Sequence, residues 1–148
     1  MPSTFLSLHY HIVFSTKDRE PIIELGWRGR LYEYMAATSK RLGAQCPIIG
    51  GTADHVHQLV ELRATHVLAD FMRELKKSSS MWVRETIPNP AFTWQEGYAA
   101  FTVSASGVDE VRRYIENQEE HHRARSFREE LVIMLQRSGV KYDERYLD

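Results

Sequence analysis

The sequence lacks most of the features that would set it apart from an ordinary globular domain. It holds one cysteine in 148 residues, Cys46, so no disulfide can form within the chain, and a reducing, cytoplasmic setting is expected. The thiol itself reads as a small buried apolar side chain. No run approaches the ~18 consecutive apolar residues of a membrane span, so no membrane partner is expected. The opening Met1-Pro2-Ser3-Thr4-Phe5 has no basic start followed by an apolar core, which argues against a secretory signal. Repeats, linkers and low-complexity stretches are missing as well. Neither sign of charge dominates: 19 basic against 20 acidic residues leave a net charge of −1. A nucleic-acid partner would therefore have to be met by a local patch, because a basic domain is not there to meet it.

What is present is the composition of a single soluble globule, 43% apolar and 26% charged. One domain is expected over residues 1–148, with a core at about 5–125 and a C-terminal helix and tail at 126–148. Phe5 to Ser15 alternates, with Leu6, Leu8, Tyr10, Ile12 and Phe14 on one face, which predicts a half-buried strand. A helix is predicted from about Glu24 to Leu42, with Trp27, Leu31, Tyr34, Thr38 and Leu42 on one side and Gly43 as its C-cap. Cys46 to Ile49 and the stretch after Gly50-Gly51 read as a hairpin. A second helix runs from about Val67 to Arg84, burying Val67, Phe71, Leu75 and Trp82. A fourth strand is predicted from Phe92 to Ser104, then a helix from Val108 to about His122. Ser126-Phe127-Arg128-Glu129 is a capping-box pattern that opens a last helix ending near Gly139. In the tail, Tyr142, Tyr146 and Leu147 are placed to dock, across a partner chain or their own.

The candidate chemistry begins at Ala53-Asp54-His55-Val56-His57. On a strand, His55, His57 and Glu61 point to one face, and two neutral imidazoles side by side can ligate one metal ion. His9-Tyr10-His11 is a rival pair of the same form. On the later helix Tyr114 and Gln118, four apart, share a face, and His121 extends the row. Two imidazoles and an amide oxygen suit a divalent cation such as Mg²⁺ or Mn²⁺, which can open a phosphodiester to in-line attack. A tyrosine can be the covalent nucleophile in such an attack. Arg73, Lys76, Lys77 and Arg84, interleaved with Ser78, Ser79 and Ser80, form a basic stripe suited to DNA phosphates. Trp94, Tyr98 and Phe101 could stack on unpaired bases or fill the core.

At these residues the sequence resembles the single-tyrosine HUH transposases of bacterial insertion sequences. The resemblance is carried by His55-Val56-His57 and by Tyr114-Ile115-Glu116-Asn117-Gln118. Wider matches are Ala53-Asp54, Leu75-Lys76-Lys77-Ser78-Ser79-Ser80 and Trp94-Gln95-Glu96-Gly97-Tyr98. It implies an α+β, ferredoxin-like (RRM-like) antiparallel sheet with packed helices, a homodimer, and action on hairpin-forming single-stranded DNA. In that family His55, His57 and Gln118 would bind the metal and Tyr114 would attack the phosphate, leaving a 5′-phosphotyrosine. His121-His122 offers alternative ligands to Gln118. Two other readings stay open: a non-catalytic or domesticated module binding single-stranded nucleic acid, and a hydrolase using water with Glu61 or Asp54 as base.

Overall fold

The computed structural model describes residues 3–87 and 89–147, apart from the side chains of His121 and Arg123. Four strands, β1 (His9–Ser15), β2 (Gln45–Gly51), β3 (His55–Glu61) and β4 (Ala99–Val103), form one antiparallel sheet in the order β2-β3-β1-β4. Helices α1 (Leu25–Arg41) and α2 (Leu68–Thr86) connect them, completing the ferredoxin-like order strand-helix-strand-strand-helix-strand. The chain continues through α3 (Val108–Glu116), α4 (Gln118–Ala124) and α5 (Phe127–Arg137). No helix among the described residues is long and apolar enough to cross a membrane.

The alternation read along β1 and β3 divides the sheet into two faces. Ile12, Phe14, Val56 and Val60 join Leu31 and Met35 of α1 and Phe71, Met72 and Leu75 of α2 in the main core. Burying each of the larger of these side chains contributes about 1.5–3 kcal/mol. The opposite face carries His11, Val13, His55, His57 and Leu59, and it is also buried, beneath α3, α4 and α5. A single strand pattern cannot distinguish a face covered by solvent from one covered by later helices. Here β1 is buried on both sides rather than one.

Three boundaries differ from expectation. β1 starts at His9, with Phe5 91% exposed ahead of it. β4 is confined to Ala99–Val103, because Phe92 and Trp94 turn inward and pack edge-on to each other with centroids 5.0 Å apart. Trp94 also meets Phe14 at 4.8 Å and donates its indole N–H to the Ser79 hydroxyl at 2.9 Å. The predicted Val108–His122 helix is broken at Asn117, whose φ of −101° and ψ of 25° end α3 and start α4 on a new axis. The tail folds back on its own chain, with Leu147 buried.

Gly50 explains how α3 reaches the sheet. A Cβ there would meet the Ile115 carbonyl oxygen well inside van der Waals contact, so only glycine lets α3 lie this close to β2. Gly50→Ala is expected to lower stability by about 1–3 kcal/mol, the usual cost of overpacking. A urea midpoint matching that of the unaltered protein would show that α3 is not seated there.

Candidate functional site

The site forms where β3 passes beneath the helices that follow β4. Because β3 alternates, His55 and His57 project on the same side, both fully buried. α3 brings Tyr114, whose ring centre lies 5.8 Å from that of His57. The break at Asn117 places Gln118 at the head of α4, where its Oε1 is 3.2 Å from His55 Nε2. Arg28 of α1 holds α4 in place through Glu119 at 3.0 Å. Tyr114, His55, His57 and Gln118 are thus gathered within one chain. His9-Tyr10-His11 runs on the neighbouring strand, and of that pair His11 reaches the site. The side chain of His121 lies outside the described residues.

Two further residues complete the cluster. His122 of α4 packs against His55 with ring centres 4.4 Å apart and ring planes tilted by 59°. Glu130 of α5 enters from above, its Oε1 2.9 Å from His57 Nε2, 3.2 Å from His122 Nε2 and 3.6 Å from His55 Nε2. Its other oxygen accepts a short hydrogen bond from the Tyr114 hydroxyl. Sequence reasoning missed Glu130, although a signal existed. It lies three residues after Phe127 and five before Leu135, an acidic residue on the buried side of an amphipathic helix. Ser126 caps that helix by accepting from the Glu129 amide, as its pattern predicts, and so sets where α5 begins.

Hydrogen bonds assign the proton positions. Asp54 accepts from His55 Nδ1 at 2.7 Å, so that nitrogen carries the proton and the Nε2 lone pair points inward. It faces the Gln118 and Glu130 oxygens, which are acceptors too. Lone pairs converging without a shared proton are the arrangement a cation resolves. His57 Nδ1 meets His11 Nε2 at 2.7 Å, a contact that works with the proton on either nitrogen. His11 can therefore accept from His57 Nδ1, freeing Nε2 of His57 to ligate. His55, His57, His122 and Glu130 place one ligand atom each within 4.8 Å of one another, so the residues present fit a metal ion.

Burial and neighbouring charge set the protonation states. Burial first, and His57 second, push His11 down to about 3. Burial also lowers His57, to about 4, against the pull of Glu130. Burial would raise Glu130, but hydrogen bonds from His122 and His57 hold it well below the carboxylate range. Burial and then the Glu130 carboxylate raise Tyr114, keeping its hydroxyl protonated. His122, lowered by burial, is raised on balance by Glu130.

These shifts predict acid sensitivity. The stabilising contributions of His11 and His57 are complete above the ordinary value of 6.5 and are lost as pH falls toward about 3 and about 4 respectively. Glu130 acts in the same direction, its contribution present above the ordinary 4.5 and lost below it. His122 opposes them, stabilising below 6.5 and ceasing to do so once pH rises past its folded value. The melting temperature is therefore expected to fall continuously from pH 7 to pH 4, and a flat profile would contradict this account.

The predicted DNA-contacting stripe lies on α2, across the sheet from the site. Lys76 is turned inward: its ammonium donates to the carbonyls of Gln95, Glu96 and Gly97 at 2.5, 3.0 and 3.0 Å. Three donors matched to three carbonyls make it a clamp for the loop before β4. Arg84 donates to the Phe92 carbonyl at 2.9 Å, Arg73 pairs with Asp70 at 3.0 Å, and Lys77 is exposed. Of the aromatics, Trp94 is core, whereas Tyr98 is exposed. Beside Tyr114 opens a cavity of about 190 Å³ bordered by His11, Glu130, Arg125 and Arg137. A larger one, about 540 Å³, opens on the far side of Arg125 and is lined also by Asp54 and His122.

A strand pair of histidines and a helical tyrosine meet on a ferredoxin-like sheet, and comparison with known proteins gives the family of the chain. The model of the family described as "Transposase IS200 like" matches residues 4–118, and the chain belongs to that family. Among solved structures it is similar to a candidate transposase of Deinococcus radiodurans R1, with 24% identity and a TM-score of 0.64 over 80% of this chain and 96% of that one. It is also similar to a REP-associated tyrosine transposase bound to a REP hairpin, with 12% identity and a TM-score of 0.60 over 82% of this chain and 74% of that one. At these identities the two structures speak for the fold. No curated protein matches the sequence.

Proposed function

We propose that this protein cuts and rejoins single-stranded DNA, with Tyr114 as covalent nucleophile and a divalent cation, Mg²⁺ or Mn²⁺, held by the imidazoles of β3. The observation that carries this reading is the single carboxylate, Glu130, that touches both the Tyr114 hydroxyl and the imidazole cluster. It puts the hydroxyl next to the place where a polarised phosphate would lie. When bound, the cation supplies Lewis-acid polarisation of the phosphodiester. Tyr114 Oη bonds to phosphorus as the bond from phosphorus to the 3′ oxygen breaks. The phenolic proton passes to solvent water, with Glu130 orienting the hydroxyl by accepting its hydrogen bond, and the departing 3′ oxygen takes up a proton to become a hydroxyl. The phosphotyrosine keeps the bond energy, so the reverse attack by a 3′-hydroxyl rejoins a strand without an external energy source.

Arg125 and Arg137, bordering the cavity at Tyr114, are suited to the phosphate being cut. Arg73, Lys77 and Arg84 would meet phosphates farther along the substrate, while Lys76 acts by shaping the loop. Hairpin-forming single strands are the substrate class we favour, because the similar solved transposase carries a hairpin. Tyr114 and the imidazoles meet within one chain, so a homodimer would not be needed to complete the site. A base-stacking module on an open sheet is a poorer fit, since α3 to α5 cover the face it would use.

Covalent trapping tests the proposal. Protein is incubated with labelled single-stranded hairpins and Mn²⁺ or Mg²⁺, then resolved on a denaturing gel. A shifted protein–DNA band that requires the metal is expected. Cleavage without such a band would favour a water nucleophile instead.

A further inference from the structure

We infer that a groove running from the Tyr114 site to the C-terminal tail holds the strand that ends in the freed 3′-hydroxyl, with Tyr146 as a stacking platform for one of its unpaired bases. The inference deepens the proposed function and rests on it for the direction of the strand.

Direction follows from the reaction. In an in-line displacement the attacking Tyr114 Oη and the departing 3′ oxygen stand on opposite sides of the phosphorus. Tyr114 meets one oxygen of Glu130, and His122 meets the other at 3.2 Å, so the two mark opposite ends of the cluster. Beyond His122 lies the cavity of about 540 Å³, which Asp54 also lines. The 3′ oxygen therefore departs toward that cavity. The 5′-phosphate end stays on Tyr114, beside the cavity of about 190 Å³.

From His122 the groove continues toward the tail. Asp18 lines the 540 Å³ cavity and a further one of about 550 Å³, bordered by Lys17, Gln95, Gly97, Arg145 and Tyr146. The tight turn Lys17–Arg19 separates the two. It is tied to both sides, since the Thr16 amide donates to the Asp54 carbonyl at 2.8 Å and the Lys17 amide to the Thr93 carbonyl at 3.0 Å. Asp18 and Arg19 hold φ of 56° and 52°, a region that residues other than glycine rarely enter. The turn so formed sets Lys17 at one cavity and Arg19 at the other. Backbone kept in such conformations gathers at ligand sites.

The far end of the groove is fixed on two sides. Lys76 clamps the carbonyls of Gln95 to Gly97, and buried Leu147 anchors the tail while leaving Tyr146 77% exposed. Asp143 pins Arg145 at 2.6 Å, and the guanidinium lies over the Tyr146 ring at 5.5 Å. An exposed ring held this way suits an unpaired base, because every base has a face to stack. Phosphates gain little here, since Asp18 and Glu96 offset Lys17 and Arg145 along the same walls. Stacking is the attraction that remains, in keeping with a net charge of −1.

The test uses the full chain without metal, so that no reaction enters. A labelled oligothymidylate about eight nucleotides long is titrated by fluorescence anisotropy. Tyr146→Ala is expected to weaken binding ~10-fold, the scale of one base–aromatic stack, and Tyr146→Phe, which keeps the ring, less than ~2-fold. The loss in Tyr146→Ala should be the same at about 50 and about 200 mM salt, because stacking releases no counterions. Iododeoxyuridine in the same strand, crosslinked by light and located by peptide mass spectrometry, should mark Tyr146 from positions 5′ of the terminal 3′ nucleotide. The inference is overturned by unaltered binding in Tyr146→Ala, by a Tyr146→Phe as weak as Tyr146→Ala, or by crosslinks that spare Tyr146. Covalent trapping run in parallel separates the two ideas. Stacking at Tyr146 without an adduct would sink the tyrosine mechanism and leave the platform standing, and an adduct with Tyr146 unmarked would do the reverse.

Discussion

Tyr114→Phe is expected to fold, to bind hairpin DNA as the unaltered protein does, and to form no covalent adduct. The loss should be roughly 10⁴–10⁶-fold in cleavage, the scale on which removing a covalent nucleophile acts. The phenyl ring keeps its packing against His11 and His57, with ring centres 6.0 and 5.8 Å away. What disappears is the hydroxyl bonded to Glu130. Glu130 keeps His57 and His122 as partners, so the stability cost should stay near 1–2 kcal/mol. The variant thus separates chemistry from folding. A water-based hydrolase predicts the opposite result, with cleavage largely intact in Tyr114→Phe and both histidines still required. Single-turnover cleavage of a labelled hairpin, compared with hairpin affinity measured without metal, decides between them.

His57→Ala should produce the largest combined effect, on stability and reaction together. His57 is fully buried and bonds His11 at 2.7 Å and Glu130 at 2.9 Å, so its removal takes from His11 its imidazole partner and from Glu130 one of its three. Truncating a large buried side chain to alanine typically costs about 2–5 kcal/mol, and a buried polar partner left unsatisfied adds about 1–3 kcal/mol. Urea unfolding at pH 7 should show a loss of that order, and metal-dependent cleavage should vanish. His57→Gln retains a donor for Glu130 and should recover much of the stability without the reaction. If His57→Ala unfolded at the same urea concentration as the unaltered protein, the buried network described here would be wrong.

The parts of this site that could be read from residue order are those carried on one element. His55 and His57 share a face because strands alternate, and Tyr114 marks itself by its spacing to Gln118 near the edge of an apolar stripe. The local pattern at Ser126 likewise marks the start of α5. Glu130 was not legible in this way. Its role depends on where α5 crosses the sheet, and α5 reaches that place through a helix break at Asn117 and a turn before Ser126. Lys76 misled for the same reason: on a helical wheel it belongs to a basic stripe, yet the loop carrying Gln95 to Gly97 bends back to satisfy its ammonium.

Residue pattern alone therefore sets the class of fold, the two-faced strands, the paired histidines and the candidate nucleophile, since each rests on short-range periodicity and side-chain chemistry. Tertiary structure decides which side chains meet. It closes the second face of the sheet, which no single strand reveals, and it brings the acid of α5 onto the imidazoles of β3. It also separates the basic stripe of α2 from the imidazole cluster by the thickness of the sheet. Contacts between residues 73 positions apart, such as His57 and Glu130, arise from chain topology and close packing, and no local spacing encodes them.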